Sequence, residues 1–112
     1  MASPHSPFAT FQEHCARGEL AFQIDDQGAP LFPPRVGPTK WQVSQGRGIV
    51  YSTTTVVPRG APPYNVSLID LAEGFRMMST VQSPDVEIGL AVEVRFDDQA
   101  TAYFVPAEAQ RI

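Results

Sequence analysis

The sequence predicts a mainly β protein: a short N-terminal helix, an irregular proline-rich stretch, and a small barrel of five strands. Three observations predict it. Between residues 41 and 106, β-forming runs alternate with turns built on glycine, proline or aspartate. Eleven prolines in 112 residues are about twice the average share, and an internal proline breaks a helix, so long helices are excluded. Hydrophobic residues make up 43% and charged residues only 18%, which excludes a disordered chain and hints that a partner covers some of the surface.

The first element is a helix within residues 6–20. Ser6 can cap it, Pro7 suits its first position, and Gly18 is a natural stop. Phe8, Phe11, Cys15 and, less regularly, Leu20 give one apolar face. Residues 21–40 hold Pro30, Pro33, Pro34 and Pro38 and admit little regular structure. Leu20, Phe22 and Ile24 can form one strand and Leu31-Phe32 its partner, joined by a turn at Asp25-Asp26-Gln27-Gly28.

The barrel strands follow. Residues 49–57 carry β-formers on both faces, so this strand is expected to be long and covered on both sides for part of its length. Pro58 to Pro63 form a loop, then Tyr64, Val66, Leu68 and Asp70 a second strand. The turn Ala72-Glu73-Gly74 reverses the chain into Phe75, Met77, Ser79 and Val81. Leu90, Val92, Val94 and Phe96 fix one inward face and leave Glu93 and Arg95 outside. Tyr103 to Val105 close the set. The expected core includes Val50, Leu68, Met77, Val92, Val94 and Phe104. A small closed barrel of five strands is the OB-fold case. The expected division is 6–40 for the helix and irregular segment, 41–106 for the barrel, and 107–112 for a tail.

The catalytic inventory is thin, and no catalytic residue is assigned. His14 and Cys15 are helix neighbours, which diverge by about 100° and cannot face each other as base and nucleophile. Free cysteines usually pack as small apolar groups. Asp25-Asp26 and Asp97-Asp98 read as turn formers rather than ligands. Gly46-Arg47-Gly48 lacks the lysine and following helix of a phosphate loop and reads as a bend at a strand start. One cysteine and two histidines cannot build a tetrahedral zinc cage, so no metal ligands are assigned.

Two stretches gain meaning together: Ser44-Gln45-Gly46-Arg47-Gly48-Ile49-Val50-Tyr51-Ser52 and Leu68-Ile69-Asp70-Leu71-Ala72-Glu73-Gly74. With Pro63-Tyr64, Asp85, Ile88-Gly89, Val92 to Phe96 and Phe104-Val105-Pro106, their order and spacing resemble a family of small acyl-CoA-associated proteins. Those proteins carry an N-terminal helix, a rubredoxin-like zinc ribbon and a C-terminal OB-fold. Gly18-Glu19-Leu20 and Phe32-Pro33-Pro34-Arg35 resemble the ribbon's flanks. The resemblance runs from about Phe8 to Pro106. It departs at the ribbon's two Cys-x-x-Cys knuckles. The first pair falls near Ile24 and Gln27, and the second has no room between Arg35 and Trp41. The resemblance therefore implies a degenerate, metal-free ribbon.

It further implies a non-catalytic accessory subunit of a thiolase-like or other acyl-CoA enzyme, docked at the active-site entrance and contacting coenzyme A. No cofactor of the chain's own is expected. Arg47 and Arg76 are the residues chosen for coenzyme A phosphates, since guanidinium forks suit phosphate. Phe8, Phe11 and Phe22, on a segment too small to bury them, are expected at the partner interface, together with the loop at 58–63. Homodimerisation through the same patch is a further outcome. The alternative function is a single-stranded nucleic-acid-binding OB module. It has aromatics in Tyr51, Tyr64, Phe75 and Tyr103, but a net charge of −4 and few basic residues weigh against it. Nothing in the sequence spans a membrane, and the start of the chain lacks a secretory pattern, so a cytoplasmic protein is expected.

Overall fold

The computed structural model describes residues 6–38 and 40–107. His5 and the expected tail from residue 108 lie outside them. The helix α1 spans Pro7–Ala16. Ser6 caps it, its Oγ accepting from the Ala9 amide at 3.1 Å, and Pro7 stands in the first turn, where no amide is needed. The helix ends as Gly18 predicts. Gly18 takes φ +78°, its amide donates to Cys15 O, and the Glu19 amide donates to His14 O, so two orphan carbonyls are satisfied.

Strands β1 (Ala21–Ile24), β2 (Pro30–Leu31) and β3 (Lys40–Val43) form an antiparallel sheet in the order β2-β1-β3. Trp41 to Val43, expected at the start of the barrel, instead pair with Gln23 to Ala21. The β1–β2 turn is built by Asp25, whose Oδ1 accepts from the amides of Gln27 at 2.8 Å and Ala29 at 2.9 Å.

The second sheet holds β4 (Arg47–Val56), β5 (Tyr64–Leu71), β6 (Arg76–Ser79), β7 (Ala91–Phe96) and β8 (Ala102–Pro106), in the order β6-β5-β4-β7-β8. Its ends meet at a parallel bridge between Val81 and Phe104. The Phe104 amide donates to Thr80 O at 2.9 Å, and the Gln82 amide donates to Phe104 O at 2.7 Å. Asn65 holds this seam from inside, accepting from the Val81 amide and donating to Val81 O. Five strands curled to one closing bridge make a partly open OB-fold.

The core joins the two sheets. Val50, Met77, Val92 and Phe104 are buried in it as expected, and Val94 packs against it half-buried. Leu68 is a correction: Ser67, Ile69 and Leu71 are the buried set of β5, so Leu68 turns outward. The buried Ser67 hydroxyl is satisfied by Thr53 Oγ1 at 2.9 Å and Asn65 Oδ1 at 2.7 Å. The two-faced reading of residues 49–57 is also corrected. A bulge between Val50 and Ser52 leaves Tyr51 unpaired with β5 and changes the strand's phase. Gly48 and Val50 face the core before it, and Thr53 pairs with inward Ser67 after it. Ile49 and Tyr51 are each 50% exposed.

Candidate interaction surface

The sequence motifs at Ser44–Gly48 and Leu71–Gly74 come together in space, and their contact is structural. Glu73 accepts from the Ser44 hydroxyl at 2.7 Å and from the Gln45 amide at 2.8 Å. The Ala72 amide donates to Arg47 O at 2.9 Å. Gly48 lies so close to β5 that an added Cβ would stand 2.6 Å from Asp70 O. Gly46-Arg47-Gly48 is thus a seam between strands, with the Arg47 side chain alone left facing solvent.

Among the described residues, Cys15 and His14 form no nucleophile–base pair. Cys15 is buried, and burial pushes its thiol pKa up, away from the reactive thiolate. The His14 ring is occupied elsewhere, with Nδ1 2.8 Å from Glu19 Oε1 and its face on Trp41 at 5.8 Å. The hydrogen bond from His14, aided by Arg17, holds the Glu19 carboxyl below its usual range. Among the described residues, no three His, Cys, Asp or Glu side chains gather as a metal site. At the expected knuckle positions, Ile24 and Gln27 offer no thiolate. The neighbouring Gln23, 1% exposed, clasps the loop in which the second knuckle would lie. Its Oε1 accepts from the Arg35 amide, and its Nε2 donates to Arg35 O and Pro38 O.

Of the three expected interface phenylalanines, Phe8 is 61% exposed. Phe11 is half-buried, stacked on Phe8 at 6.5 Å and edge-on to Phe32 at 5.7 Å. Phe22 is a correction: it is 2% exposed and lies on Phe75 at 4.6 Å. Sheet β2-β1-β3 packs on the barrel mouth through Phe22 and Phe32, so the small segment buries Phe22 by borrowing the barrel's core. Phe8, Phe11, Gln12 and Cys15 line a cleft of about 230 Å³ facing residues 99–102 of the β7–β8 turn.

That turn repeats the hydrogen bonding of the β1–β2 turn. Asp97 Oδ1 accepts from the Gln99 and Thr101 amides, both at 2.9 Å, as Asp25 does for Gln27 and Ala29. Where the first turn has Gly28 at φ +83°, the second has Ala100 at φ +62°. The loop at 58–63 stands elsewhere. In the β4–β5 ladder Gly48 faces Leu71 and Val56 faces Tyr64, so the loop lies roughly 25 Å from the turn at 72–74. The α1 cleft is at the Arg47 end, where β7 runs out to residue 97. Helix and loop therefore lie toward opposite ends of the β4–β5 ladder.

The outward face of β4, β5 and β6 is the feature sequence reasoning missed. Arg76, expected to meet phosphate, is already bound. Its Nε donates to Asp70 Oδ1 at 2.5 Å, its Nη2 to Oδ2 at 3.2 Å, and its guanidinium lies 3.5 Å over the Tyr51 ring. Those hydrogen bonds hold the Asp70 carboxyl below its ordinary range. Ile49 and Met78, 67% exposed, flank this group with half-buried Leu68 and Val66. Arg47 stands on the same face. Its cross-strand neighbour Glu93 is bound to Arg95 at 2.6 Å, and no carboxylate among the described residues reaches Arg47. The bulge at Tyr51, which no periodicity announces, ends the alternation of β4 at this face. No described helix is long and apolar enough to cross a membrane.

Comparison with known proteins agrees with this architecture. No curated protein matches the chain in sequence. A chain of the solved structure described as Ltp2-ChsH2(DUF35) aldolase superposes with a TM-score of 0.73 at 24% identity, covering 95% of this chain and 98% of that one. That likeness establishes the shared fold. Residues 41–97 match the model of the ChsH2 C-terminal OB-fold domain, about half of the chain. The chain belongs to the ChsH2 C-terminal OB-fold family.

Proposed function

We propose that this protein is a non-catalytic accessory subunit of a thiolase-like or related acyl-CoA enzyme. The observation that carries the reading is the family match over residues 41–97, joined to fold-wide likeness with a chain whose solved structure is described as an aldolase containing ChsH2. The site chemistry supports it. Cys15 is buried, and His14 is engaged by Glu19 and Trp41. Of the two arginines proposed for coenzyme A contact, Arg47 is the one left free to meet an anion of the docked enzyme. Arg76 is the weaker phosphate ligand because Asp70 already neutralises it. Phe8 and Phe11 are the anchors proposed for the helix end.

The nucleic-acid reading loses support on the same face. Of the four barrel arginines, Arg76 and Arg95 are paired with Asp70 and Glu93. Single-strand binders need a continuous positive groove.

Co-purification of the tagged chain from its native host, followed by mass spectrometry, tests the proposal. The expected result is an acyl-CoA enzyme in near-stoichiometric amount, reduced by the double substitution Phe8→Asp and Phe11→Asp. Recovery of single-stranded nucleic acid at physiological salt, with no such enzyme, overturns it.

A further inference from the structure

The outward face of β4–β6 carries apolar and aromatic groups that the fold does not use. Ile49, Tyr51 and Met78 are half or more exposed, and Leu68 and Val66 fill the space between the strands that bear them. Tyr51 follows Ile49 onto this face by strand alternation, and the bulge leaves it unpaired beside Ser52. Two charges at its centre cancel: Arg76 is bidentate to Asp70 and stacked on Tyr51. An arginine fixed on two sides has little rotamer freedom left to lose, so this part of the surface is ordered before any contact. Arginine and tyrosine over an apolar surround is the composition of an interface centre.

We infer that this face is a protein-docking surface whose occupant is an apolar patch of the acyl-CoA enzyme carrying a carboxylate opposite Arg47. The identity of the occupant rests on the function proposed above; the chemistry it must present rests on charge. Arg47 is the one charge on this part of the face without a counter-ion among the described residues, because Glu93 is taken by Arg95 and Asp70 by Arg76. A second copy of the chain offers the same face with the same spent carboxylates, so an isologous dimer would bring Arg47 no partner. Nucleic acid would meet one free cation amid apolar groups. A partner with a complementary carboxylate answers both the apolar area and the unpaired charge.

The test uses the full-length chain and the purified acyl-CoA enzyme recovered with it, with affinity measured by titration calorimetry. Met78→Asp and Arg47→Glu alter exposed side chains, and circular dichroism checks that each variant folds. Each is expected to weaken binding about tenfold or more. Arg47→Glu is also expected to lessen the dependence of affinity on salt. Phe8→Asp serves as a variant at the other candidate contact. If wild type binds and both face variants bind within twofold of it, this inference is wrong while the accessory-subunit reading stands. If wild type does not bind the enzyme, both fail. If sedimentation shows a wild-type dimer that Met78→Asp dissociates, the face joins two copies and the assigned occupant is wrong.

Discussion

Gln23 grips Arg35 by both backbone groups. The glutamine Oε1 accepts from the Arg35 amide at 2.7 Å, and its Nε2 donates to Arg35 O at 2.9 Å. A third bond, from Nε2 to Pro38 O at 3.0 Å, extends the grip along the loop. A zinc ribbon of the kind this segment resembles in sequence would use thiolates to hold two loops together. Here one buried amide satisfies the loop instead.

Gln23→Ala removes all three bonds and opens space in the core. It is expected to lower stability by about 2–3 kcal/mol. Urea unfolding of the variant against wild type measures this. Gln23→Leu, which fills much of the space, is expected to recover only part of the loss.

The two aspartate turns make a natural comparison. Ala100 occupies the left-handed conformation that Gly28 occupies in the first turn. An L-residue there bears strain of about 1–2 kcal/mol, partly offset by the greater unfolded freedom of glycine. Ala100→Gly is therefore expected to raise stability by up to about 1 kcal/mol, and Gly28→Ala to lower it by a similar amount. Thermal unfolding of both variants checks the opposite signs.

Gly48 is constrained by space rather than by dihedral. A Cβ there meets Asp70 O at 2.6 Å and Ile69 Cγ2 at 2.8 Å. The Asp70 carbonyl belongs to the β5 backbone and cannot swing away like a long side chain. Gly48→Ala is expected to cost about 3 kcal/mol or more, a larger loss than Gly28→Ala, where no atom lies within 4 Å. Denaturant midpoints of the two variants rank them.

The Asp70 carboxyl titrates below its ordinary value, first because Arg76 donates hydrogen bonds to it and then because of the guanidinium charge. With the folded pKa depressed, the pair's contribution is complete above the unfolded pKa and is lost as pH falls through the lower folded value. Both side chains are nearly half exposed, so the effect on stability is small. The clearer readout is the titration itself. In Arg76→Ala, carboxyl NMR is expected to show Asp70 protonating at higher pH than in wild type.

Much of the fold is legible in the sequence because local rules and tertiary packing agree. Ser6, Pro7 and Gly18 mark the helix by capping chemistry alone. Asp25 and Asp97 each build the turn that their spacing suggests. The Leu90–Phe96 alternation assigns its inward face directly. Legibility ends where two apolar sets compete. On β5, Ile69 and Leu68 are equally good core residues by composition. The choice is made by register with Val50 and by the buried Ser67–Asn65–Thr53 bonds. The bulge at Tyr51 adds one residue without changing composition, so the phase of β4 cannot be read from alternation. Phe22 looked available to a partner because its own segment is too small to enclose it. Phe75 from the barrel encloses it. Arg76 looked free for phosphate because its partners Asp70 and Tyr51 lie on other strands.

An accessory subunit must associate stoichiometrically with its acyl-CoA enzyme and show no affinity for single-stranded nucleic acid. The decisive measurement is sedimentation velocity of the purified chain, run at physiological salt with that enzyme and separately with a labelled single-stranded oligonucleotide. The expected result is a complex of fixed stoichiometry at micromolar concentration with the enzyme, and free oligonucleotide in the second run. An oligonucleotide that sediments with the chain, beside an enzyme that does not, would contradict it.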